Sequence, residues 1–124
     1  MKNSSPTIMI IEDDADIREL MKIVLEADGY SVDVAGDGID AFDHLKAGTK
    51  PTLILLDLMM PRMDGEQFMK EVRSTRFSKI PVVIISGHCL GPKKARELEA
   101  ASCLTKPVEF SELLKTVRRF APVH

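Results

Sequence analysis

Apolar positions along the chain fall into two alternating patterns. Continuous apolar runs occur at Ile8-Met9-Ile10-Ile11, Leu53-Ile54-Leu55-Leu56 and Val82-Val83-Ile84-Ile85, with shorter strand-like pieces at Val32-Asp33-Val34 and Cys103-Leu104-Thr105. A run without polar alternation is what a strand covered on both faces of a parallel sheet requires, because both of its side-chain rows are buried. Between these runs the apolar residues recur with helical period. Ile17, Leu20, Met21, Val24 and Leu25 follow the i, i+3, i+4, i+7, i+8 spacing of one helix face, and Gly29 stands where a C-terminal cap would. Asp37, with Asp40 three residues on, reads as the N-terminal cap of a second helix carrying Ile39, Phe42 and Leu45 and closed by Gly48. A third helix follows Asp64-Gly65 and presents Phe68, Met69 and Val72. A fourth, around 93–100, has only Ala95 and Leu98 to bury. The last places Phe110, Leu113, Leu114, Val117, Phe120 and Ala121 on one side.

Five β/α units in strict alternation predict a doubly wound α/β sandwich, (βα)5, with a five-stranded parallel sheet of flavodoxin-like architecture and right-handed crossovers. A chain of 124 residues has room for one hydrophobic core. No repeat, low-complexity tract or linker interrupts it. The expectation is therefore a single domain over 1–124, with residues 1–6 as a polar tail and no output domain.

Composition narrows the function classes. Apolar residues make up 44% and charged residues 29%, which is an ordinary balance for a packed domain. The net charge is −2 and the Lys and Arg are scattered, so no basic face for direct nucleic-acid binding is expected. No apolar run is long enough to span a bilayer, and residues 1–7 lack an apolar signal-peptide core, which makes a cytoplasmic location the default. Cys89 and Cys103 are too few for a disulfide framework and lack metal-ligand spacing.

In folds of this class ligands sit beyond the C-terminal ends of the strands. There the sequence offers Glu12-Asp13-Asp14 after strand one, Asp57 after strand three, Ser86 after strand four, and Lys106 with Pro107 after strand five. Taken singly, each has a plainer explanation. Asp14 can cap the next helix, a lone Asp can be solvated, and Ser-Gly or Lys-Pro can be a turn. Taken together, they bring three or four carboxylates, a hydroxyl and an amine to one crevice. Crowded carboxylates repel one another unless a cation neutralises them. A hard divalent ion such as Mg2+ meets that need with carboxylate oxygens, water and substrate phosphate. Lys106 can supply positive charge to a transferring phosphoryl group, Ser86 can donate a hydrogen bond to it, and Asp57 is left as the nucleophile.

Over nearly its whole length the chain resembles the receiver domain of bacterial two-component response regulators, including the single-domain chemotaxis type. The matching landmarks are Ile10-Ile11-Glu12-Asp13-Asp14, Leu55-Leu56-Asp57-Leu58-Met59-Met60-Pro61, Met63-Asp64-Gly65, Val83-Ile84-Ile85-Ser86-Gly87 and Leu104-Thr105-Lys106-Pro107. The resemblance implies that Glu12, Asp13, Asp57 and the backbone carbonyl of Met59 hold magnesium and that Asp57 accepts the phosphoryl group. It implies that Ser86 and Lys106 contact the phosphoryl oxygens, that Gly65 serves the loop after the acceptor strand, and that the Lys106–Pro107 bond is cis. The implied donor is the phosphohistidine of a sensor histidine kinase or phosphotransfer protein. The implied recipient is a downstream protein target that reads a two-state surface, with the domain a monomer or a phosphorylation-dependent dimer. Such a domain catalyses its own phosphorylation and dephosphorylation without being an enzyme on an external substrate. Two features depart from the family pattern. Cys103 stands where Tyr or Phe is usual, and the segment before it, Glu97-Leu98-Glu99-Ala100-Ala101-Ser102, is about two residues short and lacks the usual Gly-Ala pair. Both bear on how the last strand and the fourth helix report phosphorylation. His88, two residues after Ser86, falls at a position that in this family borders the phosphoryl group.

Three other functions fit the architecture less well. A magnesium-dependent phosphohydrolase would place an acid two residues after its nucleophile, where this chain has Met59. A flavin carrier needs a hydroxyl- and Gly-rich phosphate loop after strand one, where Glu12-Asp13-Asp14 would repel phosphate. A docking-only pseudo-receiver would not retain the acidic pair, the acceptor and the lysine together.

Overall fold

The computed structural model describes residues 6–58, 65–87 and 96–123. Five parallel strands, β1 (Thr7–Ile11), β2 (Ser31–Ala35), β3 (Leu53–Asp57), β4 (Val82–Ser86) and β5 (Ser102–Thr105), form one sheet in the order β2-β1-β3-β4-β5. They alternate with helices α1 (Ala15–Ala27), α2 (Gly38–Lys46), α3 (Gly65–Arg73) and, after β5, α4 (Phe110–Phe120). Between β4 and β5 residues 96–98 are helical; the rest of the helix expected at 93–100, Ala95 included, lies outside the described residues.

The continuous apolar runs have the predicted cause. On β1, β3 and β4 successive side chains enter two different cores. Ile8, Ile10, Leu53, Leu55, Val83 and Ile85 pack beneath α1 and α4 with Met21, Leu25, Leu113 and Val117. Met9, Ile11, Ile54, Leu56, Val82 and Ile84 pack on the opposite face against Phe42, Leu45, Phe68, Met69 and Val72 of α2 and α3. The edge strands are less apolar because each has one covered flank only; Asp33 on β2 bonds to His44 of α2, with Oδ2 2.8 Å from Nδ1.

Local signals set the helix ends. Asp14 caps α1, its Oδ1 accepting from the N–H of Asp16 at 2.9 Å and of Ile17 at 3.1 Å. Asp37 Oδ1 accepts from the Asp40 N–H at 2.9 Å, while Asp40 Oδ2 accepts from the Gly36 N–H at 3.1 Å, so the two aspartates close the start of α2 reciprocally. Gly29 and Gly48 follow α1 and α2 at φ +100° and +113°, backbone that glycine adopts without a steric cost. At the opposite end, Arg118 of α4 forks onto Asp28 at 2.9 and 2.6 Å, and Tyr30 Oη donates to the Ala121 carbonyl at 2.6 Å. The arginine thus ties α4 to the end of α1.

The periodic stripes overstate burial at one edge. Ile17 is 39% exposed, Leu20 51%, Ile39 37% and Phe110 43%. All four lie near the beginnings of helices, which in parallel β/α units start at the C-terminal edge of the sheet. Ile17, Ile39 and Phe110 fall in the first turns of their helices and Leu20 in the second, at the end where the sheet gives out.

Candidate functional site

In the order β2-β1-β3 the chain turns in opposite directions on leaving β1 and β3, and the crevice at such a switch point is where side chains from separate strands converge. Asp57 is the last residue of β3 and is 3% exposed; Glu12 follows β1 directly and is 2% exposed. Asp13 is exposed. One carboxylate oxygen from each of the three lies within 4.8 Å of the others. Lys106 follows β5, and its Nζ stands 3.2 Å from Asp57 Oδ2 and 3.6 Å from Glu12 Oε1. Its backbone N–H donates to the Ser86 carbonyl at 2.7 Å, which fixes the lysine beside the end of β4. Asp57 pairs in register with Ile85, so Ser86 is the next residue out along β4. The Lys106–Pro107 bond is cis, as the resemblance implies. Met59, His88 and Cys89 lie outside the described residues.

The electrostatics are those of a crowded anionic site. Burial pushes the Glu12 carboxyl up to about 7; the Asp14 N–H works against the rise and the neighbouring Asp57 charge adds to it. Burial pulls the Lys106 ammonium down, yet the charges of Glu12 and Asp57 outweigh it and leave the group above its ordinary value. Three carboxylates facing one ammonium leave two negative charges when all are ionised, an amount a divalent cation matches. All the side-chain donors are hard oxygens, and one of the three is solvent-facing, so a partly hydrated Mg2+ fits the set.

The approach to Asp57 is shaped by Gly65. A Cβ there would stand 2.5 Å from Leu58 Cα and 3.1 Å from the Asp57 carbonyl, and the Gly65 N–H donates to the Leu58 carbonyl at 2.8 Å. Only glycine lets α3 start this close to the end of β3. Cys103 is half-buried opposite Ile84 and packs on the core beneath α2 and α3.

Sequence reasoning missed two features of the site. The first is an apolar cavity of about 440 Å3 bordering Glu12 and Lys106, lined by Ile17, Leu20, Met21, Ile85, Pro107, Val108 and Phe110. Its signal was present in the apolar residues assigned to the buried faces of the first and last helices. The second is Arg18, whose Nη1 donates to the Glu12 carbonyl at 2.8 Å; its signal was a cation one turn beyond an acidic run.

Comparison with known proteins agrees with this geometry. The response regulator receiver domain family matches residues 8–118. The response regulator MprA of Mycobacterium sp. (strain KMS) is 34% identical over 113 residues, 90% of this chain and 48% of that protein. The chain therefore spans about half the length of the curated relatives it matches. Among solved structures, the Vibrio cholerae chemotaxis protein CheY4 has a TM-score of 0.86 at 28% identity, covering 94% of this chain and 99% of that one. The Thermotoga maritima response regulator TrrA, solved in complex with Mg2+–BeF, has a TM-score of 0.81 at 25% identity, covering 93% and 98%. A sheet with this strand order, a carboxylate cluster at its switch point and a match across both lead to one assignment: the chain belongs to the response regulator receiver domain family.

Proposed function

We propose that this chain accepts a phosphoryl group on Asp57 from a phosphohistidine donor and thereby switches a protein-binding surface. The observation that carries the reading is the meeting of the Glu12, Asp13 and Asp57 carboxylates within 4.8 Å, with the Lys106 ammonium 3.2 Å from the proposed acceptor. Glu12, Asp13, Asp57 and the backbone carbonyl of Met59 are the proposed magnesium ligands. Bound magnesium supplies positive charge that offsets the carboxylates and the incoming phosphoryl oxygens.

The chain's own residues divide the remaining work. An Asp57 oxygen forms the bond to phosphorus as the phosphorus–nitrogen bond of the donor breaks, and the electron pair stays on the imidazole. Lys106 exchanges its contact with the free carboxylate for one with a phosphoryl oxygen, a charge-assisted pair present only in the phosphorylated state. Ser86 donates its hydroxyl to another phosphoryl oxygen, drawing the end of β4 inward. Later, water attacks phosphorus and the Asp57 carboxylate leaves. The domain thus promotes its own phosphorylation and dephosphorylation on its own side chain.

The donor in this reading is a cytoplasmic sensor histidine kinase or phosphotransfer protein. Its histidine must reach the rim between Glu12 and Lys106, and the apolar cavity bordered by Ile17, Leu20 and Phe110 adjoins that rim. A donor helix with an apolar face suits such a groove. The downstream target is a protein that distinguishes the two states.

Incubation with acetyl phosphate and Mg2+ tests the acceptor. One base-labile phosphoryl group should be added, and Asp57→Asn should take none; labelling of that variant would sink the assignment. A transfer profile against purified sensor kinases of the same cell then identifies the donor.

A further inference from the structure

The β1–α1 connection carries two of the three carboxylates, and only one of them is anchored. The Glu12 N–H donates to the Ala35 carbonyl at 3.1 Å, its Oε2 accepts from the Asp14 N–H at 3.2 Å, and its carbonyl accepts from Arg18 Nη1 at 2.8 Å. The Asp13 side chain is exposed and carries no hydrogen bond or ion pair to another described residue. The direction of Asp13 is therefore set by its backbone, and above all by the rigid Glu12–Asp13 peptide plane. The Glu12 carbonyl lies in that plane, and Arg18 holds it.

Arg18 is well placed to act as a fixed arm. Its own N–H donates to the Asp14 carbonyl at 2.9 Å, so its backbone belongs to the first turn of α1. Its guanidinium lies alongside Gly36, where an added Cβ would sit 3.7 Å from Nη1. The side chain is half-buried, and its one hydrogen bond among the described residues is the bond to Glu12.

We propose that Arg18 is a positioning residue for the cation site: by clamping the Glu12 carbonyl it sets the peptide plane that directs Asp13 towards Glu12 and Asp57. The inference rests on the metal-site reading given above and assigns a residue that reading leaves out. Charge and position predict opposite signs. As a bare positive charge near a cation site Arg18 would weaken Mg2+ binding, so its removal would tighten it. As a clamp on the ligand loop its removal loosens Asp13 and weakens binding.

The test is Mg2+ titration calorimetry on the unphosphorylated chain, with thermal unfolding in the absence of Mg2+ alongside. Arg18→Met keeps the stem and loses the donor; Arg18→Lys keeps a charged donor. Arg18→Met is expected to bind Mg2+ about 10- to 100-fold more weakly, the usual cost of losing support behind a metal ligand, with its Mg2+-free unfolding little changed. Arg18→Lys should recover most of the affinity. Phosphorylation of Arg18→Met by acetyl phosphate should need more Mg2+ yet reach the wild-type rate at saturation. Equal or tighter Mg2+ binding by Arg18→Met overturns the proposal, and so does a loss that tracks a fallen unfolding temperature in both variants. If Arg18→Met does not fold, Arg18→Gln, which shortens the side chain and removes the guanidinium, takes its place; unchanged Mg2+ affinity in that variant would overturn it equally. A wild-type chain that binds no Mg2+ refutes the underlying metal site, whereas wild-type binding with an unaffected Arg18→Met refutes only the clamp.

Discussion

The Lys106 ammonium stands 3.2 Å from Asp57 Oδ2 and 3.6 Å from Glu12 Oε1, so one cation from the end of β5 bridges two buried carboxylates from the ends of β3 and β1. Both carboxylates are almost fully buried, while the lysine side chain keeps 31% of its exposure. The lysine is thus the member of the bridge that solvent reaches, and the carboxylates it serves are enclosed.

Lys106→Ala removes the counter-charge and leaves the carboxylates facing each other. Breaking a buried pair from one side costs about 3–5 kcal/mol. Solvent reaches this lysine, so a loss of about 1–2 kcal/mol is expected without Mg2+, and most of it should return when Mg2+ is added. Denaturation with and without the ion measures both. The variant should still be phosphorylated by acetyl phosphate, slowly, but without the conformational response. A wild-type pattern of phosphorylation-induced amide shifts in Lys106→Ala would refute the role given to the amine.

Glu12 makes the site sensitive to pH. Its folded-state value of about 7 lies above the ordinary 4.5, with burial as the leading cause. The folded chain therefore holds a proton that the unfolded chain has released. The associated stability is fully present below the unfolded value and is lost as pH rises through the folded one. Without Mg2+, unfolding free energy should fall by about 2–3 kcal/mol between roughly pH 5 and pH 8 relative to Glu12→Gln. Urea denaturation across that range reads it. Mg2+ affinity should rise by about tenfold per pH unit below the folded value and level off above it, because the ion and the proton compete for one carboxylate. Profiles of wild type and Glu12→Gln that run parallel would show that Glu12 is already ionised in the fold.

The fold was legible because both signals that specify it are local. Unbroken apolar runs mark strands buried on two faces, and Asp14, Asp37, Gly29 and Gly48 punctuate the helices through short-range hydrogen bonds and backbone freedom. The convergence of Glu12, Asp13, Asp57 and Lys106 was legible for a related reason: a parallel sheet sends every strand's C-terminal end to one edge. Periodicity reports which helix side is apolar, not whether a sheet lies under it. Ile17, Leu20 and Phe110 share the stripe of Met21, Leu25 and Leu113 but overhang the sheet edge, so the cavity they line was read as core. Arg18 was illegible for a different reason: its bond runs to a backbone carbonyl, and a carbonyl leaves no mark on the sequence.

Gly65 is required by proximity. Its φ is not among the positive values, and the 2.5 Å approach of an added Cβ to Leu58 Cα is what excludes a side chain. Gly65→Ala should push the start of α3 away from the end of β3 and cost about 1–3 kcal/mol, the usual range for overpacking. Val72→Ala, in the last turn of the same helix, also lowers stability but leaves the Asp57 end untouched. At matched fraction folded, phosphorylation by acetyl phosphate should slow in Gly65→Ala and not in Val72→Ala. Equal rates in the two variants would show that the close contact serves the fold without shaping the site.

Leu20 separates delivery of the phosphoryl group from the chemistry at Asp57. It is 51% exposed on α1 and lines the cavity that borders Glu12 and Lys106. Because it is already solvated, Leu20→Asp should change stability by less than about 0.5 kcal/mol, as exposed substitutions do. A small donor needs no protein contact, so the rate with acetyl phosphate and Mg2+ should match wild type. In the docking proposed above, a protein donor buries an apolar face against this groove, and a carboxylate placed there meets that face without a partner, at a cost of about 1–3 kcal/mol. Transfer from the cognate kinase should therefore fall by roughly 5- to 100-fold through weaker docking, recovering as donor concentration rises. Leu20→Ala should show a milder loss in the same direction. Kinase-dependent transfer that survives Leu20→Asp unchanged would place the donor elsewhere on the rim, whereas a parallel loss with acetyl phosphate would mean that the substitution had disturbed Glu12 or Lys106 instead.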